Sequence, residues 1–137
     1  MTILLLIILI SYQYQYSNAA TVNVDATATG GGACGSSVDP CATIQEAINI
    51  ANNNDIILLA QGLYSGLGNE NITLTSETIS GVTLMGGDDP SLVEISCASK
   101  NPALMLFGPD VMISSINNLT ISNCHTSETS QTRDQSG

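Results

Sequence analysis

Residues 43–66 decide the fold, and they read TIQEAINIANNNDIILLAQGLYSG. Thr43 and Glu46 have the spacing of a capping box, which marks the start of a helix. Apolar residues then recur on one helical face, at Ile44, Ala47, Ile48 and Ala51. The run 56–59 is instead short, apolar and followed by glycine-containing turns, which is typical of a strand. The stretch therefore predicts a short amphipathic helix followed by a chain of short strands.

Short apolar segments separated by turn residues continue as far as residue 121. They are residues 56–59, 72–74, 82–85, 93–95, 104–107, 111–113 and 119–121. Comparable segments recur after 22 residues from Val82 to Leu104 and after 24 residues from Ile95 to Leu119. This spacing favours stacked coils with parallel pairing over an antiparallel sandwich with hairpins. The predicted fold class is an all-β solenoid, a right-handed parallel β-helix of about three coils with an N-terminal amphipathic capping helix.

The beginning of the chain has the layout of a secretory signal peptide. Residues 1–10 read MTILLLIILI, a polar cluster follows, and Ser17 and Ala19 satisfy the small-x-small rule for cleavage. We predict a signal peptide over residues 1–19, and thus a secreted or extracellular-surface protein. The apolar run is about half the roughly 20 residues that a membrane-spanning helix needs, so we expect no span after cleavage.

The remaining boundaries follow from composition. Residues 20–40 are predicted to form an N-terminal strand and a glycine-rich loop, residues 41–124 the helix and the coils, and residues 125–137 a disordered polar tail. The formal net charge is −10, with twelve acidic residues against Lys100 and Arg133. Repulsion then disfavours nucleic acid and anionic lipid as partners.

Four cysteines in an exported chain predict two disulfide bonds. Three pairings are possible. Cys34 and Cys41 flank a flexible loop that can close on itself, and Cys97 and Cys124 then form the second pair. Zinc is the competing interpretation, but the chain has no C-x-x-C pair and His125 is its one histidine. We predict no metal site and no cofactor, and we interpret Asp88-Asp89 as part of a turn.

Two sequons mark candidate glycosylation sites. Asn71 begins Asn-Ile-Thr and Asn118 begins Asn-Leu-Thr, and both asparagines fall where a turn meets a predicted strand. Such positions are exposed, so either asparagine is a candidate acceptor in a eukaryotic secretory pathway.

Several of these segments resemble the opening of the pectin-lyase-like superfamily. Residues 41–48 and 55–64 are similar to its "TIQEAI" helix, hydrophobic strand and "pG-x-Y" turn, and residues 82–87 are similar to its "itl-G" strand. Residues 34–41 and 119–124 look most like secreted β-helix proteins of the polymorphic-outer-membrane-protein type. The resemblance covers roughly residues 34–124 and implies a parallel β-helix.

The resemblance implies no activity for this chain. Pectinesterases use two Asp, an Arg and Gln residues on later coils, and pectate lyases use an acidic Ca²⁺ cluster with an Arg base. No residue here matches those motifs, and Arg133 lies in the polar tail. The expected function is an extracellular or cell-surface β-helix module with a scaffold, adhesion or binding role and no catalytic residues. Carbohydrate or other cell-surface proteins are the expected partners. The alternative is a truncated N-terminal part of a carbohydrate-active enzyme, pectinesterase-like or pectate-lyase-like.

Overall fold

A computed structural model describes residues 18–75, 79, 81–97, 102–107 and 113–125. Residues 1–17 of the predicted signal peptide and residues 126–137 of the predicted tail lie outside the described residues. Within the described ranges, no helix is long and apolar enough to cross a membrane.

Short strands are the main secondary structure of the described residues. In order, the elements are β1 (Thr21–Val24), α1 (Ile44–Ile50), β2 (Ile56–Leu59), β3 (Gly62–Ser65), β4 (Ile72–Thr75), β5 (Val82–Gly86), β6 (Val93–Ser96), β7 (Leu104–Phe107), β8 (Ile113–Asn117) and β9 (Thr120–Ser122). One turn of 3-10 helix, Pro90–Leu92, precedes β6.

These strands form three parallel sheets. Sheet 1 has the order β1-β2-β5-β8, sheet 2 the order β3-β6-β9, and sheet 3 pairs β4 with β7. Each of these pairings is parallel. In sheet 1 the register places Asn23 beside Leu58, Leu58 beside Met85, and Met85 beside Asn117. Register partners on neighbouring strands therefore form straight rows of side chains across the sheet.

This topology corrects the predicted fold class. The described residues form a small domain of three unequal sheets with four, three and two strands and one helix, and not an all-β solenoid of about three stacked coils. β1 already belongs to sheet 1, so α1 lies in the chain between two strands that pair with each other and does not precede the first paired strand. The register also shifts between Val82 and Thr83, where β5 meets β8. The spacing of strands in a sequence shows how often the chain turns. It does not show that the turns build equal coils stacked on one another, which is why the prediction from spacing was wrong.

The helix begins as the sequence predicts. The Thr43 hydroxyl accepts from the Glu46 N–H at 3.2 Å, and the Glu46 carboxylate accepts from the Thr43 N–H at 3.2 Å. Ile44, Ala47 and Ile48 are buried. Helix α1 contacts β1, β2 and β4 through this face. The predicted capping box and apolar stripe are therefore confirmed.

The core lies between the sheets and combines the alternate, inward-facing strand residues with the buried face of α1. Its largest fully buried side chains are Tyr64, Ile44, Ile57, Leu59, Ile72, Leu74, Ile95, Val24 and Val93. The carboxylate of Asp55 is buried as well, with 2% of the residue exposed. Its Oδ1 accepts from the Ala20 N–H and its Oδ2 from the Asn52 N–H, both at 2.8 Å. Asp55 thus joins the start of β1 to the turn after α1.

Two disulfide bonds are present, as predicted, and they join Cys34 to Cys41 and Cys97 to Cys124. The Cys41 N–H donates to the Asn23 carbonyl at 2.9 Å, and the Cys41 carbonyl accepts from the Asp25 N–H at 2.9 Å. The loop that the first disulfide closes therefore pairs with the outer edge of β1. Two disulfides indicate an extracellular or otherwise oxidising environment.

Candidate binding groove

A groove of about 370 Å³ runs across the carboxyl ends of the strands of sheet 1. Because these strands are parallel and in register, their ends lie side by side about 4.8 Å apart. β1, β2 and β5 therefore contribute equivalent positions to the groove. The lining residues are Asn23, Val24, Asp25, Ser37, Pro40, Leu58, Leu59, Ala60, Met85, Gly86, Gly87, Asp88 and Asn118.

The floor of the groove is the outward-facing row that contains Asn23, Leu58 and Met85. These residues alternate with buried neighbours along each strand, so their side chains lie on the outer face of the sheet. The Asn23 amide is held in place, because its Nδ2 donates to the Gly35 carbonyl at 3.1 Å. The floor thus combines two apolar side chains with one fixed amide.

One rim carries acidic side chains that come directly after the strands. Asp25 directly follows β1, and Asp88 follows β5 after one intervening glycine, Gly87. The Thr27 N–H and the Thr27 hydroxyl both donate to Asp25 Oδ1, at 2.8 and 2.7 Å. These hydrogen bonds hold the pKa of Asp25 below its usual value. Asp25 therefore contributes negative charge to the rim at neutral pH.

The groove is bounded by different parts of the chain at its two ends. Ser37 and Pro40 belong to the loop closed by the first disulfide, and Asn118 belongs to the turn after β8. The turn at Asn118 lies so close to β5 that a Cβ built on Gly86 would be 1.8 Å from the Asn118 carbonyl oxygen. Glycine at position 86 is therefore needed for this end of the groove to form.

A buried tyrosine supports the groove from beneath. Tyr64 is fully buried, and its hydroxyl lies 2.8 Å from the Ala60 carbonyl oxygen and 3.1 Å from the Val24 carbonyl oxygen. Both carbonyls belong to groove-lining residues. Burial, together with the negative charge of Asp25, raises the pKa of Tyr64 to about 12. The neutral hydroxyl thus positions the ends of β1 and β2.

A separate polar cluster lies on sheet 2, outside the groove, and holds two strands together. The Ser122 hydroxyl donates to Glu94 Oε1 and lies 3.2 Å from the Ser96 hydroxyl oxygen. Asn123 Nδ2 donates to both serine hydroxyl oxygens at 3.2 Å. These contacts join β6 to the end of β9, beside the disulfide between Cys97 and Cys124.

The structure places the residues singled out from the sequence at separate points. Asn71 and Asn118 are both exposed, and both have positive φ, 53° and 52°, in the turns before a strand. Asp89 begins the 3-10 turn, and its Oδ1 accepts from the Ser91 N–H at 2.9 Å and from the Ser91 hydroxyl at 2.7 Å. Asp88, the preceding residue, lines the groove, whereas Asp89 does not. His125 is exposed, and Lys100 and Arg133 lie outside the described residues.

Sequence reasoning missed the groove. The feature of the sequence that could have indicated the groove is a pair of apolar residues, Leu58 and Met85. Both point outward from the sheet, while the residues beside them in each strand are buried. The sequence cannot show which face of a short apolar strand is buried, because a continuous apolar run has no alternation to read. Among the described residues, no group of three or more His, Cys, Asp or Glu side chains is placed to hold a metal ion.

Comparisons with protein-family models, with curated proteins and with solved structures find no match for this chain. The resemblance to the pectin-lyase-like superfamily therefore stays a prediction from the sequence motifs.

Proposed function

We propose that this chain is an extracellular or cell-surface binding module, with a scaffold or adhesion role, that binds its ligand in the groove across sheet 1. The observation that carries the proposal is the continuous lining contributed by the aligned ends of β1, β2 and β5. Ligand sites are typically concave, with apolar surface and a few convergent polar groups. The two disulfides support an oxidising, extracellular setting.

The chemistry of the lining favours a neutral carbohydrate chain. Leu58 and Met85 offer apolar contact to the C–H faces of sugar rings. The carboxylates of Asp25 and Asp88 offer hydrogen bonds to hydroxyl groups along the rim. A row of equivalent positions about 4.8 Å apart suits a ligand that is itself extended. Acidic polysaccharides are disfavoured, because the rim and the whole chain are negatively charged.

A titration followed by NMR tests this proposal. The ¹⁵N-labelled protein is mixed with a neutral β-1,4-glucan hexasaccharide and, separately, with an oligogalacturonate of the same length. We expect the neutral saccharide to shift the amide signals of residues 23–25, 58–60 and 85–88, and the acidic one to bind more weakly. Shifts confined to other residues, or none at millimolar saccharide, would reject the groove as the site.

Two leucine variants serve as a matched pair. Leu58→Asp places a charge on the groove floor and is expected to abolish the shifts. Leu63→Asp makes the same change on sheet 2, where Leu63 is 57% exposed and outside the groove, and is expected to bind like the wild type. Turnover of either saccharide would instead favour the alternative function, a truncated carbohydrate-active enzyme.

We also propose that the protein is secreted and that Asn71 and Asn118 are its glycan acceptors. Both side chains are exposed, which a bulky, hydrophilic modification requires. Asn118 lines one end of the groove, so a glycan there would narrow the access of a ligand from that end. Peptide mapping of protein secreted by eukaryotic cells, before and after amidase treatment, tests both positions.

A further inference from the structure

A carboxylate is buried where the described part of sheet 1 begins. Asp55 comes directly before β2, is 2% exposed, and accepts hydrogen bonds from the Ala20 N–H and the Asn52 N–H at 2.8 Å each. Both of these donors are neutral amides. A buried carboxylate is stabilised far more by a cationic partner than by neutral donors, because it has lost most of its hydration.

Ala20 is also the residue that follows the predicted signal-peptide cut. Hydrolysis of the Ala19–Ala20 peptide bond adds one water molecule, so that the leader departs with a carboxylate on Ala19 and the Ala20 nitrogen becomes an α-ammonium. The nitrogen that donates to Asp55 would then carry a full positive charge. Since the Ile56 N–H donates to the Ala20 carbonyl at 2.8 Å, strand pairing keeps Ala20 in position after the cut.

We infer that cleavage between Ala19 and Ala20 creates an ion pair between the new α-ammonium and the buried carboxylate of Asp55, and that this pair fixes β1 onto β2. The inference selects one scissile bond. A cut one residue later would remove Ala20, and with it the nitrogen that lies 2.8 Å from Asp55 Oδ1. Processing would therefore complete the fold as well as release the leader. This inference rests on the proposed secretion of the protein and is independent of the groove and its ligand.

Two forms of the mature chain test the ion pair. They are the chain that begins with a free Ala20 and the same chain with an acetylated Ala20. The acetylated form keeps the N–H donor and loses only the charge. Because charge-assisted hydrogen bonds are roughly twice as strong as neutral ones, we expect the free form to have an about tenfold larger folding equilibrium constant in urea titrations. Equal stability of the free and acetylated forms would overturn the inference.

Substitution of the carboxylate gives the matching control. Asp55→Asn should erase the difference between the free and acetylated forms, whereas Asp39→Asn, at an exposed aspartate, should leave it intact. If Asp55→Asn does not fold, carbamylation of the α-amine by cyanate provides a second measurement on the wild-type chain. We expect the folded protein to react at least tenfold more slowly than the urea-unfolded protein. Equal rates, or secreted protein whose first residue is not Ala20, would overturn the inference.

Discussion

Gly86 allows a strand and a neighbouring turn to lie unusually close together. A Cβ at this position would meet the Asn118 carbonyl oxygen at 1.8 Å, and that atom belongs to the backbone. The neighbouring turn, rather than a flexible side chain, would have to move. The glycine therefore determines how closely the turn after β8 lies against β5, and with it the end of the groove.

We expect Gly86→Ala to lower the free energy of unfolding by about 3 kcal/mol, because overpacking against backbone forces strands apart. Gly32→Ala is the control, since nothing lies within 4 Å of a Cβ built there and Gly32 is exposed. Gly32→Ala should change the free energy of unfolding by no more than about 0.5 kcal/mol. Urea titration with both disulfides intact measures the two values. A Gly86→Ala variant as stable as Gly32→Ala would show that the turn at Asn118 is not fixed against β5.

Tyr64 makes the stability of the folded protein depend on pH in the alkaline range. Its pKa is raised to about 12 in the folded protein, whereas an unfolded tyrosine titrates near 10. The raised pKa means that folding favours the neutral phenol. Its contribution is therefore fully present below about pH 10 and is lost as the pH rises towards 12.

We expect the free energy of unfolding to fall between pH 10 and 12, and to fall less in Tyr64→Phe. The variant has no phenol to ionise, so the difference between the two curves isolates this residue. At neutral pH the variant should be less stable by about 1 kcal/mol, because the hydrogen bond to the Ala60 carbonyl at 2.8 Å is lost. Parallel curves over the alkaline range would contradict the assignment.

At the scale of elements, the helix closes an edge of sheet 3. Gln45 Oε1 accepts from the Thr73 N–H at 2.8 Å, and Gln45 Nε2 donates to the Thr73 carbonyl at 3.1 Å. One side-chain amide thus makes the two hydrogen bonds that a neighbouring strand would make to β4. Helix α1 is therefore attached to the sheet through polar pairing as well as through its buried face.

We expect Gln45→Ala to lower the free energy of unfolding by about 1–2 kcal/mol. Hydrogen exchange at the Thr73 amide should become faster, because this amide loses its hydrogen-bond acceptor. Asn49→Ala removes only the hydrogen bond from Gln45 Nε2 to Asn49 Oδ1, 3.1 Å long and exposed. This control should change stability by less than about 0.5 kcal/mol. Unchanged exchange at Thr73 in Gln45→Ala would show that the edge of β4 is protected in another way.

Local signals in the sequence predicted the elements better than their assembly. The capping box at Thr43 and Glu46 and the apolar stripe of α1 were readable, because each depends on residues three or four positions apart. Of the two recurrences read from the spacing, the one from Ile95 to Leu119 corresponds to the parallel pairing of β6 with β9. The one from Val82 to Leu104 does not correspond to a pairing, because β5 pairs with β2 and β8 whereas β7 pairs with β4. That β1 pairs with β2 across the inserted helix was not readable, since no local pattern records a partner 35 residues away. The fold class was wrong for this reason.

At the scale of the whole molecule, the two disulfides join regions of different separation. Cys34 and Cys41 are 7 residues apart and close the loop beside β1, whereas Cys97 and Cys124 are 27 residues apart and join the end of β6 to the chain after β9. In the loop-entropy model, the longer loop restricts the unfolded chain more. The expected contributions are about 2.4 kcal/mol for the first bond and about 3.6 kcal/mol for the second.

Paired replacement of the cysteines by serine tests this ranking. We expect Cys97→Ser with Cys124→Ser to lower the free energy of unfolding by about 1 kcal/mol more than Cys34→Ser with Cys41→Ser. One structural feature works against the ranking, because the loop of the first bond also covers the edge of β1 through the Cys41 backbone. Urea titration of both double variants separates the two effects. If the short-loop variant is the less stable of the two, coverage of the β1 edge outweighs chain entropy, and the first disulfide acts mainly by holding that loop on sheet 1.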